Sequence, residues 1–85
     1  MEFLAYVTVK LKPSVNDPQG LAVTNGLRQL GFEGVKSVRV GKHIEITIEA
    51  EDESAAKTAL ELMCNKLLAN PVIEDYDFRL QVIIA

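Results

Sequence analysis

The stretch VKSVRVGKHIEITIE, residues 35–49, decides the predicted fold. Isoleucine alternates with glutamate and threonine from Ile44 to Glu49, which predicts a β-strand with one buried and one solvent-facing side. The valine-rich part before it, about Val35 to Val40, predicts a second strand. Gly41-Lys42 lies between the two and is a turn signal. The stretch therefore predicts a β-hairpin.

A further strand is predicted at each end of the chain. Residues 2–12 (EFLAYVTVKLK) alternate apolar side chains onto one face, and Pro13 ends the strand because proline cannot donate to a ladder. The segment from Asp75 to Ala85 alternates as regularly. Leu4, Tyr6 and the uncharged run 82–85 then predict an apolar second face that invites a partner. Scattered surface apolar residues are the alternative.

Two helices are predicted between these strands. Asp17-Pro18 has the form of an N-cap followed by a first helical residue, and Gly31 fits the position that closes the helix. Asp52 (or Glu51) begins the second helix, and Asn70-Pro71 ends it. The predicted buried residues are Val23, Leu27 and Leu30 on the first helix and Ala56, Leu60, Met63 and Leu67 on the second.

The element order is therefore β-α-β-β-α-β, the pattern of a ferredoxin-like α+β fold. It predicts one domain over residues 1–85, with a four-stranded antiparallel sheet and both helices on one face.

The composition narrows the classes of protein to which this chain can belong. The 85 residues carry nine basic and twelve acidic side chains, a net charge of −3, with no cluster of Lys and Arg. A general nucleic-acid binder needs a basic face, so that class is not expected. No apolar run approaches the roughly 20 residues that span a bilayer, and no signal peptide is recognisable. A cytoplasmic protein without membrane or nucleic-acid partners is expected.

The residues that could support catalysis are few. His43 is the only histidine and is predicted to face solvent at the hairpin turn, and Cys64 is the only cysteine and is predicted to be a buried structural thiol. One histidine and one cysteine cannot supply a zinc site. Gly41-Lys42 lacks the other residues of a phosphate-binding P-loop. The sequence predicts no catalytic, cofactor-binding or metal-binding residue on this chain.

Three blocks of the sequence resemble the PurS family. They are Lys10–Pro13 followed by Asp17–Gly20, then Leu30–Val35 running into Val38–Lys42, and finally Met63–Tyr76. They span nearly the whole chain in the family's order. Ser14 and His43 depart from the family pattern, where a glycine and an aromatic residue are expected.

PurS-type proteins are the small subunit of phosphoribosylformylglycinamidine (FGAM) synthase. That enzyme converts formylglycinamide ribonucleotide, ATP and glutamine into formylglycinamidine ribonucleotide, ADP, phosphate and glutamate in purine biosynthesis. A glutaminase subunit releases ammonia, and a large synthetase subunit uses it with ATP and Mg²⁺. The resemblance implies a non-catalytic homodimer, or dimer of dimers, that joins the other two subunits and assists ammonia transfer.

The loops of the matching blocks are the predicted contacts with these subunits, because loops on a rigid scaffold commonly carry function. The alternative is that Asp17 and Gly20 only shape a helix start and Asn70-Pro71 only stops one. A small-molecule-sensing module is the alternative function, since this architecture hosts many functions. The predicted partner-contact residues are Lys12, Pro13, Asp17, Gln19, Gly20, Arg39, Gly41, Lys42, Asn70, Pro71, Glu74, Asp75 and Tyr76.

Overall fold

A computed structural model describes residues 1–84, so the last residue of the predicted C-terminal strand, Ala85, lies outside the described residues. The fold is α+β. Its elements are β1 (Glu2–Leu11), α1 (Pro18–Gln29), β2 (Gly41–Glu49), α2 (Glu53–Met63), a π-helical turn (Cys64–Leu68) and β3 (Glu74–Ile83). Within residues 1–84, neither helix has the length and apolarity needed to cross a bilayer.

The strands form an antiparallel sheet in the order β2-β1-β3 over the described part of the chain. Phe3 in the central strand pairs with Ile48 on one side and with Val82 on the other. The period-2 pattern thus places the apolar sets of all three strands on the same face. The strands predicted at residues 2–12, at Ile44–Glu49 and at the C-terminus are confirmed.

The predicted hairpin is wrong. Residues 35–40 have no strand conformation, and Gly41 is the first residue of β2, paired with Lys10 of β1 instead of turning the chain. Side chains bind the backbone of this segment where a partner strand was expected. Arg28 donates to the carbonyl oxygens of Val35 (3.0 Å) and Lys36 (3.3 Å). The sheet therefore has three described strands, not the four of the predicted ferredoxin-like order.

Helix α1 begins and ends as predicted. Asp17 is the N-cap, and Pro18 follows it at the first position. Gly31 has φ = 100° and donates to the Arg28 carbonyl, and Phe32 donates to the Leu27 carbonyl. This pair of bonds is a Schellman closure, which favours glycine because its left-handed φ strains other residues.

Helix α2 covers the apolar face of the sheet. Asp52 is its N-cap, with the side chain accepting from Ala55 N at 2.8 Å. The fully buried core joins strand and helix residues: Phe3, Ala5, Val7, Val9, Ala56, Leu60 and Cys64. Cys64 is fully buried, as predicted, and this burial raises the pKa of its thiol.

Leu67 was predicted to continue the buried stripe of α2, but it is 84% exposed. The π-helical turn at Cys64–Leu68 widens the helix and rotates the residues after Met63. Cys64 and Ala69 occupy the buried positions in place of Leu67. The predicted face of α2 is therefore correct only up to the π-helical turn.

The prediction that both helices cover one face holds for α2 alone. The expected apolar stripe of α1 is not buried, since Leu30 is 75% exposed and Val23 is 43% exposed. The residues that α1 buries are Gly20 and Thr24. Leu27 is half-buried, so most of the stripe, but not all of it, is exposed in the single chain.

The second face of the sheet is more polar than predicted. Val82 lies on the core side, because it pairs with Phe3. Tyr6 lies on the second face between Arg79, 5.1 Å from its ring centroid, and the stacked ring of His43, 6.0 Å away. His43 is exposed as expected, but it lies on β2 and not at a turn, with Nε2 3.1 Å from Glu45 Oε2.

Candidate functional site

The three predicted contact segments meet at one end of the sheet. Lys10, near the end of β1, pairs with Gly41 at the start of β2 and with Asp75 at the start of β3. The segments 12–20, 39–42 and 70–76 therefore emerge side by side from three adjacent strands. We call this region, defined by those three segments, the loop end.

Asp17 links two of the segments. Its Oδ1 accepts from Gly20 N (2.9 Å) within the helix cap, and its Oδ2 accepts from Val40 N (2.9 Å) across the loop end. The hydrogen bond from Val40, with further contributions from Gly20 and the Arg39 charge, lowers the pKa of the Asp17 carboxyl below its ordinary value of 3.8. The carboxylate form is therefore part of the folded arrangement.

Gly20 allows α1 to lie against the segment that precedes β2. A Cβ atom at this position would approach the Val38 carbonyl oxygen and the Asp17 carboxylate more closely than real Cβ atoms do. Thr24, one turn later, donates its hydroxyl to the Gly20 carbonyl oxygen at 2.8 Å. Close backbone contact, and not the left-handed conformation, is what requires glycine here.

Arg39 holds the first loop. Its Nη2 donates to the carbonyl oxygens of Leu11 (3.3 Å), Lys12 (2.7 Å) and Val15 (3.1 Å). Leu11 is the last residue of β1, and the carbonyls of Lys12 and Val15 lie beyond the end of that strand. Lys12 N in turn donates to the Ile73 carbonyl oxygen at 2.9 Å, which joins the first loop to the third segment.

The third segment is closed by reciprocal bonds between Asn70 and Glu74. Asn70 N donates to Glu74 Oε1 (2.8 Å), and Glu74 N donates to the Asn70 carbonyl oxygen (2.7 Å). The Asn70 side chain also accepts from Val72 N at 3.1 Å, which leaves Pro71 exposed in the turn. Glu74 Oε2 lies 3.8 Å from Lys42 Nζ on β2.

The structure therefore brings most of the predicted contact residues together. A cavity of about 240 Å³ at their centre is lined by Asp17, Gln19, Gly41, Lys42 and Glu74 among others. Tyr76 differs from the other predicted contact residues, because its side chain packs against the hydrophobic core. Pro13, Pro71 and Asp75 are exposed and do not line this cavity.

Sequence reasoning missed Arg28 and Val38. Arg28 holds the 35–36 backbone from the last turn of α1, and Val38 supplies the carbonyl that approaches Gly20. A basic residue in the last turn of a helix was a usable signal for Arg28, but it is ordinarily explained by the helix dipole. No sequence pattern identifies the backbone of Val38 as the neighbour of Gly20.

The loop end is a cross-linked surface of backbone and charged groups. Its side-chain bonds run mainly to backbone atoms, so they fix the shapes of three loops relative to one another. Among residues 1–84, no three His, Cys, Asp or Glu side chains are grouped as metal ligands. What this arrangement can do chemically is present a stiff, preformed surface to another molecule.

Comparison with known proteins identifies relatives over nearly the whole chain. The family model for PurS, phosphoribosylformylglycinamidine (FGAM) synthase, matches residues 4–82. The PurS subunit from Synechocystis sp. is 55% identical over 87% of this chain and 74% of that protein. The PurS subunit from Bacillus subtilis is 47% identical over 93% of both chains.

Solved structures agree with the fold. The B. subtilis PurS structure superposes with a TM-score of 0.85 at 44% identity, covering 94% of this chain and 99% of that one. A chain in the structure of PurLQS from Thermotoga maritima superposes with a TM-score of 0.87 at 33% identity, covering 95% and 99%.

Proposed function

Because the chain belongs to the PurS family of phosphoribosylformylglycinamidine (FGAM) synthase, we propose that it bridges the glutaminase and synthetase subunits of that enzyme and assists ammonia transfer between them. It is a subunit of FGAM synthase, an enzyme of purine biosynthesis. The observation that carries the bridging role is its near full-length match to a chain of the T. maritima PurLQS structure, which supports association with the PurL and PurQ subunits.

The loop end is the proposed contact surface. Asp17, Arg39 and Glu74 each tie a loop to backbone atoms of another segment or of their own turn. Loops that are already ordered lose less conformational entropy on binding, so more of the contact energy appears as affinity. This property favours a subunit whose task is to hold two larger proteins in register.

In this proposal the glutaminase and synthetase subunits carry out all the catalytic steps. ATP and Mg²⁺ act on the synthetase subunit, and glutamine is hydrolysed on the glutaminase subunit. Ammonia released there must reach the synthetase by a route that excludes bulk water. A stiff subunit packed between the two proteins seals such a route from bulk water and needs no catalytic residues of its own.

Assembly tests the bridging role. The glutaminase and synthetase subunits, mixed with this chain and separated by size-exclusion chromatography, are expected to elute as one ternary complex. Without this chain, the two large subunits are expected to elute separately. Formation of an equally stable complex without this chain would contradict bridging.

We also propose that the chain forms a symmetric homodimer, because the single chain exposes more surface than a folded monomer should. Its accessible area is 6215 Å², about 1,200 Å² more than the roughly 5,000 Å² expected for a monomer of this mass. Its radius of gyration is 16.6 Å, against about 12 Å for a compact chain of this length. A dimer interface of standard size buries about 800 Å² per partner.

Two apolar surfaces are available for this interface. One is the unburied stripe of α1, and the other is the β2 half of the sheet face, where Ile44, Ile46 and Ile48 are only half-buried because α2 packs mainly on β1 and β3. These surfaces replace the second sheet face as the basis of the dimer prediction. That face carries the polar cluster around Tyr6.

Leu30→Glu is expected to dissociate the dimer. A carboxylate buried at the interface without a partner weakens self-association by about a hundredfold. Leu30 is 75% exposed in the single chain, so the monomer should keep its stability within about 0.5 kcal/mol. Sedimentation equilibrium and circular dichroism measure the two quantities.

Gln29→Glu is the matched control, because it places the same charge at the neighbouring position on a different side of α1. The control is expected to remain dimeric. A dimer of unchanged affinity in Leu30→Glu would show that the α1 stripe is not the interface.

A further inference from the structure

A second cavity, larger than the one at the centre of the loop end, runs beside it. It has a volume of about 550 Å³ and lies between the loop 13–18, one side of α1 and the segment 36–39. We call it the basic groove. None of the predicted contact segments accounts for its α1 wall, where Leu21, Asn25 and Arg28 lie.

The charge of the basic groove is opposite to that of the whole chain. Arg28, Lys36 and Arg39 line it, and Asp17 is the only acidic residue in its lining. Both Asp17 oxygens already accept backbone hydrogen bonds, from Gly20 and Val40. Three cations against one carboxylate thus face the groove in a chain whose net charge is −3.

Arg28 and Lys36 form no ion pair within the described residues, and Arg39 has only the nearby charge of Asp17. The ion pairs in that part of the chain are Lys42 with Glu74 and His43 with Glu45, both outside the groove. Lys36 is exposed, and its side chain makes no hydrogen bond within residues 1–84, so its charge faces solvent or a binding partner. Uncompensated charges of one sign in a cleft attract a ligand of the other sign.

Apolar side chains complete the lining. Val15 and Val38 are half-buried there, and Leu21 is 63% exposed at the side of α1. An exposed leucine beside two valines forms an apolar surface that one apolar side chain of a partner can contact. Apolar contact at the centre with charges around it is the arrangement of protein–protein contacts.

We propose that the basic groove binds an acidic segment of a partner subunit that inserts an apolar side chain beside Leu21. The proposal rests on the proposed function, since it names a binding surface for one of the two larger subunits. Charge complementarity selects the occupant: acidic residues of the segment face Arg28, Lys36 and Arg39, while the inserted side chain contacts Val15 and Val38.

A small phosphate-like anion fits the basic groove less well. Arg28 already donates through Nε and Nη2 to backbone carbonyls, and Arg39 donates through Nη2 to three more. The Asp17 carboxylate occupies the N-terminus of α1, where an anion would otherwise bind. The remaining donors are spread along an open groove, which suits an extended peptide.

Lys36→Glu tests the proposal against Lys57→Glu, which makes the same charge change at an exposed position on α2. Affinity for each purified large subunit is measured by isothermal titration calorimetry at low and at physiological salt. Lys36→Glu is expected to weaken binding to one large subunit about tenfold at low salt and to reduce the salt dependence of that affinity. Lys57→Glu is expected to bind as the unmodified chain does.

Each other outcome overturns the proposal in a distinguishable way. Equal binding by both variants, while the unmodified chain still assembles, removes the groove proposal and leaves the bridging role intact. Failure of the unmodified chain to bind either large subunit removes both. A thermal shift produced by inorganic phosphate and abolished by Lys36→Glu, with partner binding unchanged, would assign the groove to a small anion.

Discussion

Gly20→Ala is expected to lower the free energy of unfolding by about 3 kcal/mol, a large share of the roughly 4–13 kcal/mol available to a domain of this size. The added methyl group would meet the Val38 carbonyl oxygen, a backbone atom that cannot rotate away. Either α1 or the segment before β2 must shift. That shift would separate Asp17 from Val40 and open the loop end.

Gly26→Ala provides the matched control, because it makes the same substitution later in the same helix. A Cβ atom at Gly26 has no atom within 4 Å. Alanine there should stabilise the chain by about 0.5–1 kcal/mol through its helix propensity. Urea unfolding followed by circular dichroism measures both variants. A Gly20→Ala chain as stable as the unmodified one would show that α1 is not packed on residues 38–40 as described.

Asp17→Asn is expected to lower the melting temperature by several degrees at neutral pH. Both carboxylate oxygens accept backbone N–H bonds, at 2.9 Å each. Asparagine has one acceptor oxygen, so its amide group would face one of the two N–H donors without forming a bond. Either the cap of α1 or the link to Val40 must be lost.

The same substitution has a defined pH dependence. Because the pKa of Asp17 is lowered in the folded chain, its carboxylate contributes stability in full above its ordinary pKa of 3.8. That contribution is lost as pH falls through the lowered value. The difference in melting temperature between the two chains should be constant above about pH 5 and shrink as the solution becomes more acidic.

Asp52→Asn is the control for this experiment. Asp52 caps α2 through one oxygen on Ala55 N, and asparagine is an equally good N-cap for a single bond. This variant is expected to melt close to the unmodified chain. Equal small effects from Asp17→Asn and Asp52→Asn at all pH values would contradict the link between Asp17 and Val40.

The parts of the fold that follow from local physics were predictable from the sequence. The alternation of apolar and polar residues predicted three strands correctly. Asp17, Gly31 and Asp52 predicted where the helices begin or end, because each acts on backbone groups within a few residues. The prediction failed at residues 35–40, where Val35 and Val38 cannot both lie on one face of a strand. The bonds that hold that segment come from the side chains of Arg28, on the preceding helix, and of Asp17, which is 23 residues from Val40.

The candidate site was predictable as segments but not as a surface. The three contact segments were found through their resemblance to a family, and the antiparallel register then brought them together at the loop end. The basic groove was not predictable, since Arg28 and Lys36 become neighbours only when α1 packs on the segment before β2. The displacement of Leu67 depends on a π-helical turn, which leaves no mark in helical spacing.

The most direct test of the central claim, that this chain couples glutamine hydrolysis to synthesis without catalysing either, is the rate of FGAM formation by the glutaminase and synthetase subunits with and without it. Glutamine and an ammonium salt serve in turn as the nitrogen donor. Omitting the chain is expected to remove most of the glutamine-dependent rate and to leave the ammonium-dependent rate essentially unchanged. A full glutamine-dependent rate in its absence would contradict a coupling role for this chain.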